Sequence, residues 1–147
     1  NWYATDNFKV IASLGLLNAE FDEFINEFGE DLSGREQAHA PSYTYNLALE
    51  YRKSNWHMGI SVDGKDEYFF SDRHAVKSDK YALLNAIIGY ESERWKINIW
   101  GRNLSDKDYT TRAFGSFGND PRKNYITEPY FQFGEPRIVG VSLEMGF

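Results

Sequence analysis

The strongest constraint on the fold is the regular alternation of side chains over the last ten positions. Between positions 138 and 147, apolar side chains occupy every second position, and small or polar ones occupy most of the others. A repeat of two residues places the apolar side chains on one face of an extended strand. A transmembrane strand needs about 9–11 residues of this kind. The segment therefore predicts a strand with one lipid-compatible face, and we expect Phe147 to be the natural end of the chain.

The same alternation recurs along the chain and predicts an all-β fold. In the segment 56–63, for example, Trp56 and Met58 alternate with His57 and Gly59. Such period-two segments are typical of strands with one apolar face. Six predicted strands result, at 8–17, 43–52, 56–63, 82–91, 95–102 and 138–147.

The connections between these strands alternate between short and long. Hairpin turns are predicted at 53–54 and 92–93, whereas the connections 18–42, 64–80 and 104–136 are long. Up-and-down transmembrane barrels combine short turns on one side with long loops on the other. We therefore expect antiparallel neighbours in chain order, with the first and last strands, 8–17 and 138–147, as the two edges of the sheet.

Aromatic residues frame both predicted hairpins on the apolar faces of their strands. Tyr51 and Trp56 flank one turn, and Tyr90 and Trp95 flank the other. Aromatic side chains at one level are typical of the membrane interface. The alternative is aromatic cross-strand pairing in a soluble sheet. The opposite faces carry charged or titratable groups near the same rim: Glu50, His57, Glu91 and Lys96.

Composition excludes several classes of function. The chain of 147 residues has no cysteine, a net charge of −6 and 17% aromatic residues. Without cysteine there is no thiolate metal site, and the negative charge argues against a nucleic-acid surface. The three histidines lack metal-ligand spacing, and Ser71 to His74 form only a mixed polar loop segment. We therefore expect no enzyme activity and no cofactor.

Two segments near the end of the chain resemble motifs of a known family. The segment 100–109, with Asn103, Asp106 and Tyr109, resembles the NLxDKxY motif of TonB-dependent outer-membrane receptors, at the top of their penultimate strand. The segment from Gly134 through Arg137 resembles the start of their final strand, which ends on an aromatic residue and serves as the insertion signal. The segments 34–43 and 14–21 are similar to earlier strands of the same barrel.

This resemblance implies a fold, a location and a set of partners. Such receptors combine an N-terminal plug with a 22-stranded barrel, and six strands cannot close a barrel of that width. The whole chain, 1–147, would then be an antiparallel, up-and-down transmembrane β-barrel segment at the C-terminal end, with the plug and the other strands missing. Implied partners are outer-membrane lipid, the TonB energy-coupling complex acting through the missing plug, and a ferric siderophore or similar small ligand. The implied function is energy-coupled nutrient uptake in the outer membrane of a Gram-negative cell.

The long connection 104–136 carries the candidate ligand-binding residues. Aromatic and cationic side chains together can hold a flat anionic ligand such as a ferric chelate. The alternative is a loop that buries its aromatic side chains against itself. The candidates are Arg112, Phe114, Phe117, Arg122, Tyr125, Tyr130 and Phe131.

Two other functions remain open on the sequence alone. A soluble lipocalin-like barrel that binds a small ligand matches the chain length and the up-and-down strands, although it needs about eight strands. An outer-membrane phospholipase or protease would need serine, histidine and acid side chains converging at one rim, which the spacing does not predict.

Overall fold

The computed structural model describes residues 1–115, 119–126 and 128–146, and strands dominate this part of the chain. One short 3₁₀ helix, Pro121–Lys123, lies in the last long connection. The strands are β1 (Trp2–Tyr3), β2 (Phe8–Leu16), β3 (Tyr43–Lys53), β4 (Trp56–Lys65), β5 (Tyr81–Glu91), β6 (Trp95–Arg102), β7 (Thr110–Phe114), β8 (Tyr130–Phe133) and β9 (Ile138–Met145).

Seven strands form one antiparallel sheet in the order β1-β2-β3-β4-β5-β6-β9. Strands β7 and β8 form a separate two-stranded ribbon within the connection from β6 to β9. Because consecutive strands run in opposite directions, the short turns 4–7, 54–55 and 92–94 share one end of the sheet. The long connections 17–42, 66–80 and 103–137 share the other end, as predicted.

All six predicted strands are confirmed, and their ends agree within two residues. The first hairpin turn lies at Ser54 and Asn55, one residue later than predicted, because Lys53 still pairs with Trp56. Ser54 accommodates this two-residue turn with a left-handed φ of 51°. The second turn spans 92–94 and bends at Glu93 and Arg94, so it extends one residue beyond the prediction. Phe147 lies outside the described residues.

Three short strands were missed by the sequence analysis. β1 pairs with β2 through Trp2 and Tyr3. The prediction that β2 is an edge strand is therefore wrong. Segments of two to five residues are too short to show a period of two. Within the described part of the chain, β1 and β9 do not pair with each other, so the sheet is open.

The register confirms the predicted division of the sheet into two faces. Trp56 pairs with Tyr90, and its ring centroid lies 5.0 Å from that of Tyr90. The ring of Tyr90 lies 5.4 Å from that of Trp95, so these aromatic side chains share one face at the turn end. Tyr51 contacts Phe8 at 4.6 Å beside them. The four polar residues Glu50, His57, Glu91 and Lys96 occupy the opposite face, as predicted.

Exposure on the two faces is the reverse of that in an ordinary soluble sheet. In β6 and β9 the apolar residues Ile99 and Val141 are 50% and 66% exposed. Asn98, on the other face of β6, is only 8% exposed. Along β4, Trp56 and Met58 are likewise more exposed than their polar-face neighbours. In these strands the apolar face is therefore the more exposed one, whereas polar-face residues near the turn end, such as Glu50 and Glu91, are exposed as well.

Candidate functional site

A trough of about 1000 Å³ runs along the polar face of the sheet from β1 to β6. The side chains that face it alternate along their strands with those of the apolar face. Lys9 of β2 pairs with Glu50 of β3 at 3.1 Å near the turn end. Trp100 and Arg102 of β6 border the opposite side. The trough therefore combines charged and polar side chains with apolar ones such as Ile87.

A hydrogen-bonded group of side chains lies on the polar face around Asp63. Nδ2 of Asn46 donates to Oδ1 of Asp63 at 2.7 Å, and Nδ2 of Asn85 donates to Oδ2 at 2.9 Å. The hydroxyl of Ser61 also lies 3.4 Å from Oδ2. These contacts join β3, β4 and β5 from the polar side. Half-buried polar groups are satisfied in this way when neighbouring strands place them together.

A second polar contact on the same face of the sheet passes directly over a glycine. His57, Gly89 and Asn98 are cross-strand partners on β4, β5 and β6. Nε2 of His57 lies 2.7 Å from Oδ1 of Asn98, so the two side chains meet above Gly89. A Cβ atom at position 89 would collide with both. Glycine is therefore required at this position for the hydrogen bond to form.

The two segments that carry the family resemblance contact each other where β9 begins. Asn103 is 2% exposed, and its Nδ2 donates to the carbonyls of Lys107 at 2.9 Å and Glu135 at 3.0 Å. Asp106 accepts a hydrogen bond from the backbone N–H of Arg137 and pairs with its guanidinium at 3.2 Å. The two segments therefore form one packed junction between β6 and β9.

The long connections have a hydrophobic core of their own. Tyr68, Phe70 and Ala113 are 3%, 4% and 6% exposed, and Val76 packs against them. The ring of Phe131 lies 6.2 Å from that of Phe70 and links β8 to this cluster. The cluster therefore packs the connection 66–80 against the β7–β8 ribbon.

Cationic side chains tie the connection 17–42 to the connection 66–80. Lys77 pairs with Glu36 at 3.3 Å and with Glu67 at 3.0 Å, and the hydrogen bond to Glu67 raises its pKa. Its ammonium also lies 4.4 Å from the ring centroid of Phe69. The guanidinium of Arg35 contacts the same ring at 4.0 Å. These contacts hold two connections, far apart in the sequence, in a fixed arrangement.

A smaller cavity of about 280 Å³ lies where all three long connections meet. We call it the His39 cavity. It receives His39 from the connection 17–42, Arg73 from the connection 66–80 and Arg112 from β7. Its remaining lining residues are Phe70, Ser71, Ala113, Phe114 and Gly115. The cavity therefore combines basic side chains with aromatic rings.

The backbone and the neighbouring rings hold His39 in position. Its backbone N–H donates to the carbonyl of Phe69 at 2.8 Å, and its φ of 59° lies in the left-handed region. Its ring lies 5.4 Å from that of Tyr68. Partial burial lowers the pKa of His39, and the positive charges of Arg112 and Lys65 lower it further. The imidazole is therefore held toward its neutral form first by partial burial and then by the neighbouring positive charges.

The structure brings four of the seven predicted ligand-binding residues together on the β7–β8 ribbon. Phe114 pairs with Tyr130, and Phe131 pairs with Ala113 beside Arg112. The ring of Phe131 contacts Phe70 of the hydrophobic core, but Phe131 itself is 46% exposed. Arg112 and Phe114 line the His39 cavity. Phe117 lies outside the described residues.

Arg122 and Tyr125, the other two predicted residues, lie in the segment that connects β7 to β8. Arg122 forms an ion pair with Asp120 at 2.8 Å, and its side chain is 88% exposed. The hydrogen bonds from Arg122 lower the pKa of the Asp120 carboxyl. Tyr125 is exposed beside them. Neither residue is among those that line the His39 cavity, and the charge of Arg122 is already matched within its own turn.

Sequence reasoning missed His39, Phe70 and Arg73 as lining residues, because only the packing of three connections brings them together. The segment 71–74 forms local turns, in which the hydroxyl of Ser71 accepts from the N–H of Arg73 at 3.0 Å. Nδ1 of His74 accepts from the N–H of Val76 at 3.3 Å. Among the described residues, no group of three or more His, Asp or Glu side chains is placed to hold a metal ion.

Comparison with protein-family models gives no match for this chain. In the described ranges, no helix has the length and apolar character needed to cross a membrane.

Proposed function

We propose that the chain is the C-terminal barrel segment of a TonB-dependent outer-membrane receptor that takes up a ferric siderophore. One observation carries this proposal: the sheet exposes its apolar face and shelters a hydrogen-bonded polar face. Apolar side chains stay exposed at this scale only when something other than water covers them. Lipid is the covering that suits a row of long antiparallel strands.

The dimensions of the strands support a bilayer environment. Strands β2 to β6 and β9 contain 8 to 11 residues each. A tilted transmembrane strand needs about 9–11 residues. Trp56, Tyr90 and Trp95 lie together at one end of the exposed face, where an interfacial aromatic belt is expected. The long connections then form the extracellular side, and the short turns form the periplasmic side.

The polar face supports a position along a wet lumen. Asp63 with its partners and the ion pair between Lys9 and Glu50 would face the barrel interior, where the plug of a complete receptor lies. The junction of Asn103, Asp106 and Arg137 gives the two resembling segments a shared structural role. By resemblance, the loops capture the ligand, and the plug moves under force from the coupling complex to admit it.

In the lipocalin-like alternative, the apolar face would line the interior of the barrel and the polar face would lie outside. A soluble binding barrel turns its apolar side chains toward an interior that holds the ligand. Here the trough lies on the polar face, whereas Ile99 and Val141 of the apolar face are at least half exposed. The exposure of the apolar face therefore favours the membrane receptor.

Iron uptake in cells tests the proposed function. Cells that lack the gene are grown at low iron and given radioactive iron bound to hydroxamate or catecholate siderophores. We expect uptake of at least one siderophore to fall on deletion, to return with the full-length gene and to stop when the proton-motive force is collapsed. The protein should fractionate with the outer membrane and need detergent for extraction. Unchanged uptake of every siderophore, or a monodisperse protein without detergent, would contradict the proposal.

A further inference from the structure

The His39 cavity collects positive charge from three separate connections. His39, Arg73 and Arg112 reach it from parts of the chain that lie 34 or more positions apart. None of the described residues that line it is acidic. Burial is the main cause of the lowered pKa of His39, and the positive charges of Arg112 and Lys65 contribute to it as well. A cavity of this charge is suited to an anion.

We propose that the His39 cavity binds a single-ring aromatic carboxylate, either as a free acid or as the end of a larger iron chelator. This inference rests on the proposed function only in placing the cavity on the extracellular side, where such ligands arrive. A volume of about 280 Å³ is below the range of roughly 300–1,000 Å³ that holds drug-sized ligands. The cavity therefore accommodates one ring-sized group and excludes a whole ferric siderophore.

The two arginines have different surroundings and different roles. Nε of Arg73 pairs with Glu27 at 3.0 Å, which anchors this side chain and offsets part of its charge. Among the described residues, no carboxylate oxygen lies within 4.0 Å of the Arg112 guanidinium, and Arg112 is exposed. A guanidinium fork binds a carboxylate through two parallel hydrogen bonds. Arg112 is thus the principal anion-binding group, and Arg73 strengthens the positive potential.

The aromatic residues of the cavity favour a flat ligand over a compact inorganic anion. Phe70 is held in the buried cluster with Tyr68, so its position is fixed before a ligand arrives. Phe114 is 45% exposed at the other side of the lining. Two phenyl rings offer apolar surface and edge or stacking contacts to a third ring. The carboxylate of such a ligand can then lie toward Arg112.

Calorimetric titration of the purified full-length protein in detergent tests this inference. Benzoate is the probe, and benzamide is the matched neutral control with the same ring and a similar shape. We expect the wild-type protein to bind benzoate and to bind benzamide at least about tenfold more weakly, because charge-assisted hydrogen bonds are lost. This comparison needs no variant to fold. Absence of benzoate binding, or equal binding of both probes, would overturn the proposal.

Variants locate the binding within the molecule. Arg112→Gln should weaken benzoate about tenfold or more, and Arg112→Lys should lie between, because lysine keeps the charge and loses the planar fork. Arg94→Gln is the matched control, since Arg94 is exposed in the turn at the opposite end of the sheet. If Arg94→Gln weakened benzoate as much as Arg112→Gln, the cavity would not be the site.

Competition then separates the two sources of the ligand. A ferric siderophore that carries an aryl carboxylate should be displaced by benzoate if the cavity holds its end. Benzoate binding without displacement would assign the cavity to a free aromatic acid. If deletion of the gene left siderophore uptake unchanged while the protein still bound benzoate, only the proposed function would be rejected. Siderophore uptake by a protein that does not bind benzoate would reject only the assignment of the His39 cavity.

Discussion

Apolar side chains are largely exposed in the sheet, whereas a cluster of them is buried in the long connections. In the connections, Phe70 is 4% exposed and lies in a cluster with Tyr68 and Ala113. In the sheet, Ile99 is 50% exposed, while the neighbouring Asn98 is 8% exposed. Both regions are rich in aromatic and aliphatic residues. Their difference therefore lies in where the chain places these residues, and composition alone does not reveal it.

This contrast indicates where each region finds its stability. The connections remove their own apolar surface from water, so their folding is driven within the chain. Strand pairing satisfies the backbone hydrogen bonds of the sheet. Its apolar face is stabilised only where lipid or another apolar surface covers it. We infer that the sheet depends on its surroundings far more than the connections do. The following predictions test this contrast, from the largest expected effect to the smallest.

Truncation of the buried ring in the connections should have the largest effect. Phe70→Ala removes a ring from a packed cluster and should reduce the local stability of the connections by about 3–5 kcal/mol. Hydrogen exchange of backbone amides in 66–80 and β7 measures this loss. Phe133→Ala is the control, because Phe133 is 69% exposed on β8 and should change stability by less than about 0.5 kcal/mol. Equal effects would mean that the cluster is not a core.

A charge on the exposed face of the sheet should be costly in lipid. Val141→Arg should reduce the free energy of folding into lipid vesicles by about 2–4 kcal/mol, because Val141 pairs with Ile99 in the middle of the strands, away from the aromatic belt at Trp95. Ser142→Arg places the same charge on the polar face, beside Asn98, and should have a clearly smaller effect. Urea titrations of both variants in vesicles give the comparison. If the two variants lost the same stability, lipid would not contact the apolar face.

A methyl group added at Gly89 should disturb the hydrogen bond on the polar face and leave the apolar face intact. Gly89→Ala forces His57 and Asn98 apart and leaves sheltered polar groups without partners, which should cost about 1–3 kcal/mol. Gly146→Ala is the control, because the nearest atom to its added Cβ, the carbonyl oxygen of Arg94, lies 4.0 Å away. The same urea titrations measure both. Full stability of Gly89→Ala would show that the hydrogen bond contributes little.

The smallest predicted effect is a pH dependence of anion binding in the connections. His39 faces the cations Arg112 and Lys65 and the ring of Tyr68, with Arg73 in the same cavity lining, and its pKa is lowered in the free protein. A bound carboxylate offsets the positive charges and raises this pKa, so binding takes up a proton. Benzoate, which stays ionised, should therefore bind more tightly as the pH falls from about 7.5 to about 5.5.

The control for this pH effect removes the titrating group. His39→Gln should bind benzoate with nearly the same affinity across that pH range. The gain in the wild-type protein should be at most about tenfold, since a shift of one pKa unit corresponds to a factor of ten. If affinity fell on acidification, His39 would not be the group that takes up the proton.

The sheet was predictable because its signal is repeated within each strand. A period of two over eight or more residues places Val141 and Leu143 on one face whatever the rest of the chain does. The order of strands followed from the short turns that join β3 to β4 and β5 to β6. β1 and the ribbon of β7 and β8 were not predictable, because they are short and depend on contacts with distant residues.

The sequence by itself determined the two faces of the sheet, the up-and-down order and the end at which the long connections lie. Tertiary structure alone decided that the sheet shelters Asn98 and exposes Ile99, because the alternation separates two faces without saying which one is enclosed. It also decided that Arg112 meets His39 and Arg73, while Arg122 pairs within its own turn. Connections without a repeat acquire their shape from contacts between distant residues, and no local pattern in the chain records those contacts.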